Sequence, residues 1–229
     1  MDRPSPAVQD YLKAIYRLAD GQDVEGPVTT SQVAEALGVT TASASNMLKR
    51  LDGLGYVSQV KRHGVELSDS GRQAALEVIR HHRLLETYLA TRLGMSWDEV
   101  HREAEVLEHH LSVALADRIA EELGHPERDI HGDPIPTLGG EVERPASTPL
   151  ADLGVGVSGV VSRVSDRDAP LLRFLAELGL TPKVRVCIVA LAPFGGPMSV
   201  RVGVDRMVEV PPQAARAVYV EDLVHPEAR

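Results

Sequence analysis

Two short segments carry side chains suited to holding a divalent cation. One is Arg80-His81-His82-Arg83-Leu84-Leu85-Glu86, and the other runs His101-Arg102-Glu103-Ala104-Glu105-Val106-Leu107-Glu108-His109-His110. On a helix, residues three and four apart share a face. That spacing turns His82 and Glu86 toward one ion. It turns Glu105, Glu108 and His109 toward another, with His101 one turn before Glu105. Imidazole and carboxylate together suit a divalent first-row metal. A further acid, Asp10, lies at the edge of the apolar stripe of the first helical segment. His81 and His110 fall one residue off these faces and are expected to be exposed. Surface helices are rich in Glu, so Glu-x-x-Glu-His alone could serve salt bridges to Arg83 and Arg102. The second paired set, one helix earlier, is what favours a metal.

Several elements must position these residues. A first amphipathic helix is expected from Ser5 to Ala19, with Val8, Tyr11, Leu12, Ile15 and Leu18 on one face. Thr30-Ser31 are expected to cap a second helix through Leu37, and Gly38 permits a sharp turn into a third, Thr41 to Leu54. Tyr56 to Val60 and Val65 to Leu67 form a hairpin with Lys61-Arg62-His63-Gly64 at its tip. Helix, turn, helix and wing make a DNA reader, with Thr41, Ser43, Ser45, Asn46 and Lys49 on the recognition helix and Lys61 and Arg62 on the wing as expected contacts. Ser68-Asp69 cap a fourth helix to Leu93, which carries His82 and Glu86. Ser96 caps a fifth, expected to run unbroken to Leu123.

Residues 124–149 are rich in Pro, Gly and Asp and are expected to be a linker. Beyond Leu153 the pattern becomes short alternating strands: Gly156–Val164, Val184–Leu191, Met198–Val204, Arg206–Val210 and Ala217–Val220. One helix, Pro170–Glu177, interrupts them, and the Phe194-Gly195-Gly196-Pro197 stretch makes a hairpin turn. Such strands suggest a small barrel. The fold class is therefore mainly α with a small β domain. Its parts are a winged helix-turn-helix over 1–73, a helical dimerisation and metal domain over 74–140, and an SH3-like barrel over 150–229.

The net charge of −9 argues against broad nonspecific binding of nucleic acid. Residues 1–73, with eight Lys/Arg and nine Asp/Glu, are nearly neutral, so the excess acid lies downstream. Two divalent ions per chain would offset four of those charges. The single cysteine, Cys187, sits in a strand pattern and cannot form an internal disulfide. No apolar run long enough for a membrane span and no signal-peptide core is present, so a cytoplasmic protein is expected. No His-Glu-x-x-His and no Gly-x-Ser-x-Gly occurs, which leaves an enzymatic reading without a nucleophile or base.

These motifs resemble the iron- and manganese-dependent repressors related to the diphtheria toxin repressor. They stand here as Val8-Gln9-Asp10-Tyr11-Leu12-Lys13-Ala14-Ile15-Tyr16, His82-Arg83-Leu84-Leu85-Glu86, Glu105-Val106-Leu107-Glu108-His109 and His131-Gly132-Asp133-Pro134-Ile135-Pro136. The resemblance covers nearly the whole chain. It implies a primary metal site of Asp10, Glu105, Glu108 and His109. It also implies an ancillary site of His82, Glu86 and His101, completed from the barrel by Asp168 or its rival Asp166, with Asp129 as a further ligand or anion contact. Iron repressors of this family have methionine and cysteine where this chain has Asp10 and Glu105. Hard carboxylate oxygen suits manganese, so the chain resembles the manganese transport regulators. Small two-domain manganese regulators carry a glutamate at the position of Lys13, which argues for the three-domain arrangement instead.

The expectation is a homodimeric, Mn(II)-activated repressor of metal-uptake genes that binds a palindromic double-stranded operator. Two ions bind per chain, and Fe(II) or another divalent metal is the alternative cofactor. The dimer is expected through the apolar faces around Leu84–Leu93 and Leu107–Leu115. Without metal, Asp10, Glu105 and Glu108 repel one another and hold the first helix loosely. Three alternatives are an iron-responsive repressor, a metal-dependent hydrolase, and a metal-indifferent winged-helix regulator that senses an organic ligand.

Overall fold

The computed structural model describes residues 4–20, 26–60, 64–97, 99–143, 146–166 and 168–225. They fall into two compact units. One comprises Met1–His82, Glu105–Ala116 and Pro136–Glu141, and the other Arg83–Ala104, Asp117–Ile135 and Val142–Arg229.

The first unit opens with α1 (Pro6–Asp20), whose Val8, Leu12 and Ile15 are spaced for one helical face and are at most 2% exposed. Helices α2 (Thr30–Ala36) and α3 (Thr41–Gly53) follow. The α2 cap is Thr29 rather than the expected Thr30. Its side chain accepts from Gln32 N–H while the Gln32 amide oxygen accepts from Thr29 N–H, a reciprocal capping box. Gly38, at φ 63°, makes the turn, and Thr40 caps α3. Strands β1 (Val57–Val60) and β2 (Gly64–Leu67) pair antiparallel as the wing. Its tip, with Lys61 and Arg62, lies outside the described residues. Val33, Ala44, Leu48, Leu51, Val57 and Val65 close this core.

Helix α4 (Asp69–Leu93) starts at Ser68, whose hydroxyl accepts from Gly71 N–H. It is buried all round at His81–Thr87. His81, expected to be exposed, is 1% exposed, and Leu84, Leu85 and Leu89 are buried within the chain itself. The expected fifth helix is two: α5 (Glu99–Leu107) and α6 (Val113–Glu122). Ser112 starts α6 by accepting from Leu115 N–H, which interrupts the helical run with no Gly or Pro involved. Glu108 and His109 therefore project from a turn.

The second unit is built on six antiparallel strands in the order β3-β8-β4-β5-β6-β7: β3 (Thr148–Pro149), β4 (Ser158–Val164), β5 (Arg185–Leu191), β6 (Met198–Val202), β7 (Arg206–Val210) and β8 (Val218–Val224). This is the SH3-like domain, and β3 is a strand the alternation did not signal. Helix α7 (Ala169–Leu178) seals the core with Leu172 and Leu175, both 0% exposed, and the short α8 (Pro212–Ala215) precedes β8. The stretch expected as a linker is not one throughout. Asp129, His131 and Ile135 are buried, and Gly132, at φ 90°, comes so close to Ser162 O that a Cβ would sit 2.0 Å from it.

Candidate metal centre

The first cluster lies in the first unit. Asp10 and Gln9 come from α1, Glu105 from the last turn of α5, and Glu108 and His109 from the turn after it. His109 Nε2 is 3.0 Å from Asp10 Oδ1 and 3.7 Å from Glu108 Oε1. Asp10, Glu108 and His109 each offer a ligand atom within 4.8 Å of the others. Gln9, 2% exposed, was not singled out from the sequence. Its amide nitrogen donates to Pro4 O at 3.0 Å, which turns its oxygen toward His109 Nδ1 at 2.7 Å. Nδ1 then carries the proton, and Nε2 is the nitrogen that faces the carboxylates.

Two more residues enter. Lys13 Nζ donates to Glu105 Oε1 at 2.8 Å and to both Glu108 oxygens at 2.9 and 2.8 Å, and lies 3.3 Å from His82 Nδ1. His82 Nδ1 is 2.5 Å from Glu108 Oε2. The expected bare repulsion among Asp10, Glu105 and Glu108 is therefore tempered by an internal ammonium. Burial alone would raise the Glu108 carboxyl, but the His82 hydrogen bond and the Lys13 charge overcome it and hold it below its ordinary value. Burial raises the Asp10 carboxyl, with His109 and Lys13 pulling the other way.

The second cluster lies in the second unit. Glu86 Oε1 is 3.0 Å from His101 Nδ1, and Asp166 Oδ2 is 4.0 Å from the same nitrogen. Asp168, the expected barrel ligand, instead caps α7: it is exposed and accepts from Leu171 N–H at 3.1 Å. Glu86, Asp129 and His131 also offer ligand atoms within 4.8 Å of one another. Glu86 Oε2 and His131 Nδ1 are buried and 3.7 Å apart, too far for a hydrogen bond. The His131 ring stacks on Trp97 with centroids 5.1 Å apart. Burial pulls the imidazole down, but the Glu86 carboxylate, then Asp129 and Asp166, raise it to about 9. Burial, with Asp133 and Glu86, raises the Asp129 carboxyl to about 7 against the pull of Arg83. Asp129 Oδ1 accepts from the N–H groups of His131 and Asp133, and Arg83 lies 3.6 Å from Asp129 and 3.5 Å from Asp133. The Asp129-x-His131 pair sits in a Pro- and Gly-rich stretch where no periodicity marks it.

On the recognition helix α3, Thr41, Ser43, Asn46 and Lys49 are exposed and Ser45 is half-buried. Ser45 and Lys49 line an open groove of about 410 Å³ with Thr29, Gln59 and Val60. Around the α5–α6 turn, Val106, Leu107, Val113 and Leu115 are 41–62% exposed.

A family model for the iron-dependent repressor N-terminal DNA-binding domain matches residues 5–65. A second, for the iron-dependent repressor metal-binding and dimerisation domain, matches 68–137, and the FeoA domain matches 148–222. The iron-dependent repressor IdeR of Mycobacterium tuberculosis is 32% identical over 230 residues, covering 93% of this chain and 96% of the relative. The chain belongs to the iron-dependent repressor family. This repressor is also 33% identical over 126 residues to the HTH-type transcriptional regulator MntR of Geobacillus kaustophilus, covering 55% of this chain and 86% of that protein. A solved manganese-dependent transcriptional repressor in complex with manganese superposes with a TM-score of 0.85 at 42% identity, covering 93% of this chain and 98% of the other. The chain is thus a metal-dependent, DNA-binding repressor with a dimerisation domain, and not an enzyme. No helix among the described residues is long and apolar enough to cross a membrane.

Proposed function

We propose that the repressor is activated by Mn(II) and closes metal-uptake genes by binding a palindromic operator as a dimer. The observation that carries this is the chemistry of the first cluster. Asp10, Glu105, Glu108 and His109 supply carboxylate oxygen and imidazole, while the single cysteine, Cys187, lies on β5. Oxygen-rich donors suit Mn(II), and sulfur would favour Fe(II), Co(II) or Ni(II). The manganese complex at 42% identity supports the same reading. Fe(II) is the second reading, supported by the likeness to IdeR along nearly the whole chain. Fe(II) also stands above Mn(II) in general affinity for such donors.

In this proposal the first ion is held by Asp10, Glu105, Glu108 and His109, with His82 buttressing Glu108. The second is held by Glu86, His101 and Asp166, with Asp129 and His131 beside Glu86, for two ions per chain. Asp168 keeps its capping role. A bound divalent ion supplies positive charge and directional bonds that hold α1 against the end of α5. A chain with Asp10 beside Glu108 and His109 binds the ion better than one in which α1 has moved away, so metal shifts the population toward it. Fixing α1 fixes α3, and in a dimer the spacing of the two recognition helices must match half-sites about one helical turn (~34 Å) or a multiple apart. Thr41, Ser43, Ser45, Asn46, Lys49, Lys61 and Arg62 are the proposed DNA contacts.

The test is a mobility-shift titration of an operator fragment with Mn(II), Fe(II), Co(II) and Zn(II) under anaerobic conditions. Binding should need metal, be lost with chelator, and be reached by Mn(II) at concentrations where the chain saturates. Equal affinity with and without chelator would refute the proposal.

A further inference from the structure

Trp97, the chain's sole tryptophan, lies just ahead of α5, the helix that carries His101. The backbone N–H and the hydroxyl of Ser96 both donate to the Glu99 carboxylate, which fixes the chain as it enters the helix. From there Trp97 makes two hydrogen bonds to one short stretch of the following loop. Its indole N–H donates to Ile130 O at 3.3 Å, and its own carbonyl oxygen lies 3.3 Å from His131 Nε2. Side chain meets main chain in both directions. The two rings also stack, with centroids 5.1 Å apart and 30° between their planes. The loop is itself seated on the barrel: Val164 N–H donates to His131 O, and Arg128 donates to Ser162 O and to Glu221.

Glu86 stands between the two ends of this clasp. Its Oε1 is 3.0 Å from His101 Nδ1, on α5, and its Oε2 is 3.7 Å from His131 Nδ1, on the loop. A main-chain carbonyl only accepts, so Nε2 of His131 carries a proton, and Nδ1 is the nitrogen turned to the carboxylate. We propose that Trp97 is the positioning residue of the second cluster: its clasp on Ile130 and His131 holds the two imidazoles at a fixed separation on either side of Glu86, so that the ligands are assembled before an ion arrives. The proposal rests on the metal-binding reading above and deepens it by naming a residue that offers no ligand atom itself. Groups already in place lose less freedom on binding, and partners that orient ligands raise metal affinity. Trp97 also packs against the barrel core. Packing alone would be served by any ring at this position, whereas the clasp also needs the indole N–H.

The test uses the full-length protein in a His109→Ala background, which removes a ligand of the first cluster so that Mn(II) uptake reports the second. Mn(II) affinity is measured by competition with a chelating indicator for this protein and for its Trp97→Phe and Trp97→Leu derivatives. Histidine side-chain NMR spectra are recorded in chelator. Trp97→Leu should weaken binding by roughly 10- to 100-fold, and Trp97→Phe, which keeps a ring but loses the donor, by less. The His131 Nε2–H should be slow to exchange in the parent and faster in Trp97→Leu. In a His101→Ala background, where the first cluster alone binds, neither substitution should change the affinity. Unchanged second-cluster affinity in the folded derivatives, or an equal loss in the His101→Ala background, overturns the proposal. If Trp97→Leu does not fold, the affinity of Trp97→Phe decides by the same criteria. A wild-type chain that takes up no Mn(II) refutes the metal-binding reading, and the proposal with it.

Discussion

Gln9 accepts the Nδ1 proton of His109 at 2.7 Å, and its own amide nitrogen is committed to the Pro4 carbonyl at 3.0 Å. The pair fixes which imidazole nitrogen carries the proton and which can turn a lone pair to a cation. Partners of this kind are typically worth 10- to 100-fold in metal affinity. Gln9→Met should therefore weaken Mn(II) binding by roughly that factor, while Gln9→Glu, which keeps an acceptor, should largely restore it. Competition with a chelating indicator measures both. Equal affinity for wild type and Gln9→Met would show that Gln9 does not orient the ligand.

Selectivity should follow donor softness. Asp10→Met combined with Glu105→Cys places sulfur where the chain now offers oxygen, and activation of DNA binding should move from Mn(II) toward Fe(II) or Co(II). The readout is the order in which the four metals activate DNA binding in anaerobic titrations. An unchanged order means that these positions do not set it.

His109→Ala removes a ligand of the first cluster and should abolish metal-dependent DNA binding. His82→Ala should follow it more closely than sequence spacing suggests. His82 pairs with buried Glu108 at 2.5 Å, so removing it takes a close hydrogen-bond partner from that carboxylate. His101→Ala touches the second cluster and should be the mildest of the three at saturating Mn(II). DNA affinity measured for all three checks this order, and a His101→Ala loss as complete as that of His109→Ala would reverse the roles assigned to the clusters.

Periodicity made the winged reader, α4 and most strands legible, because each buries one regular face. The candidate ligand residues were legible for a related reason: His82, Glu86, Glu105, Glu108 and His109 are spaced by helical turns. What escaped is what periodicity does not encode. The break between α5 and α6 rests on one serine cap inside an unbroken amphipathic pattern. The burial of Lys13 escaped as well, although its three-residue spacing from Asp10 places it on the same face. His131 is anchored by a turn that Asp129 ties together. Asp168 could have been told from Asp166, since an aspartate just before Ala169-Pro170 carries a helix-start signature.

We expect the dimer surface to include the α5–α6 turn. Leu84, Leu85 and Leu89 are buried in their own chain, whereas Val106, Leu107, Val113 and Leu115 stand 41–62% exposed within the segment matched by the dimerisation domain. Placing a charge there should cost association rather than folding. Leu115→Glu should shift the protein from dimer to monomer in sedimentation velocity with its helical content intact. A Leu115→Glu protein that stays dimeric would move the interface elsewhere.

Stability of the metal-free protein should fall as pH rises. The Glu86 carboxylate, with Asp129 and Asp166, outweighs burial and raises the His131 imidazole to about 9. The folded chain thus holds this proton more tightly than the unfolded chain, whose imidazole titrates near 6.5. The stabilisation is complete below about pH 6.5 and is lost as pH climbs through 9. Asp129 adds in the same direction: its carboxyl is raised from 3.8 to about 7, so its contribution is present below 3.8 and lost as pH passes 7. Metal binding needs the unprotonated ligands, so Mn(II) affinity should rise over the same interval. In chelator, the melting temperature should drop by several degrees between pH 6.5 and 9, and His131→Gln should flatten that slope. A slope unchanged by His131→Gln would mean that the proton on His131 does not contribute to holding the Glu86–Asp129 pocket together.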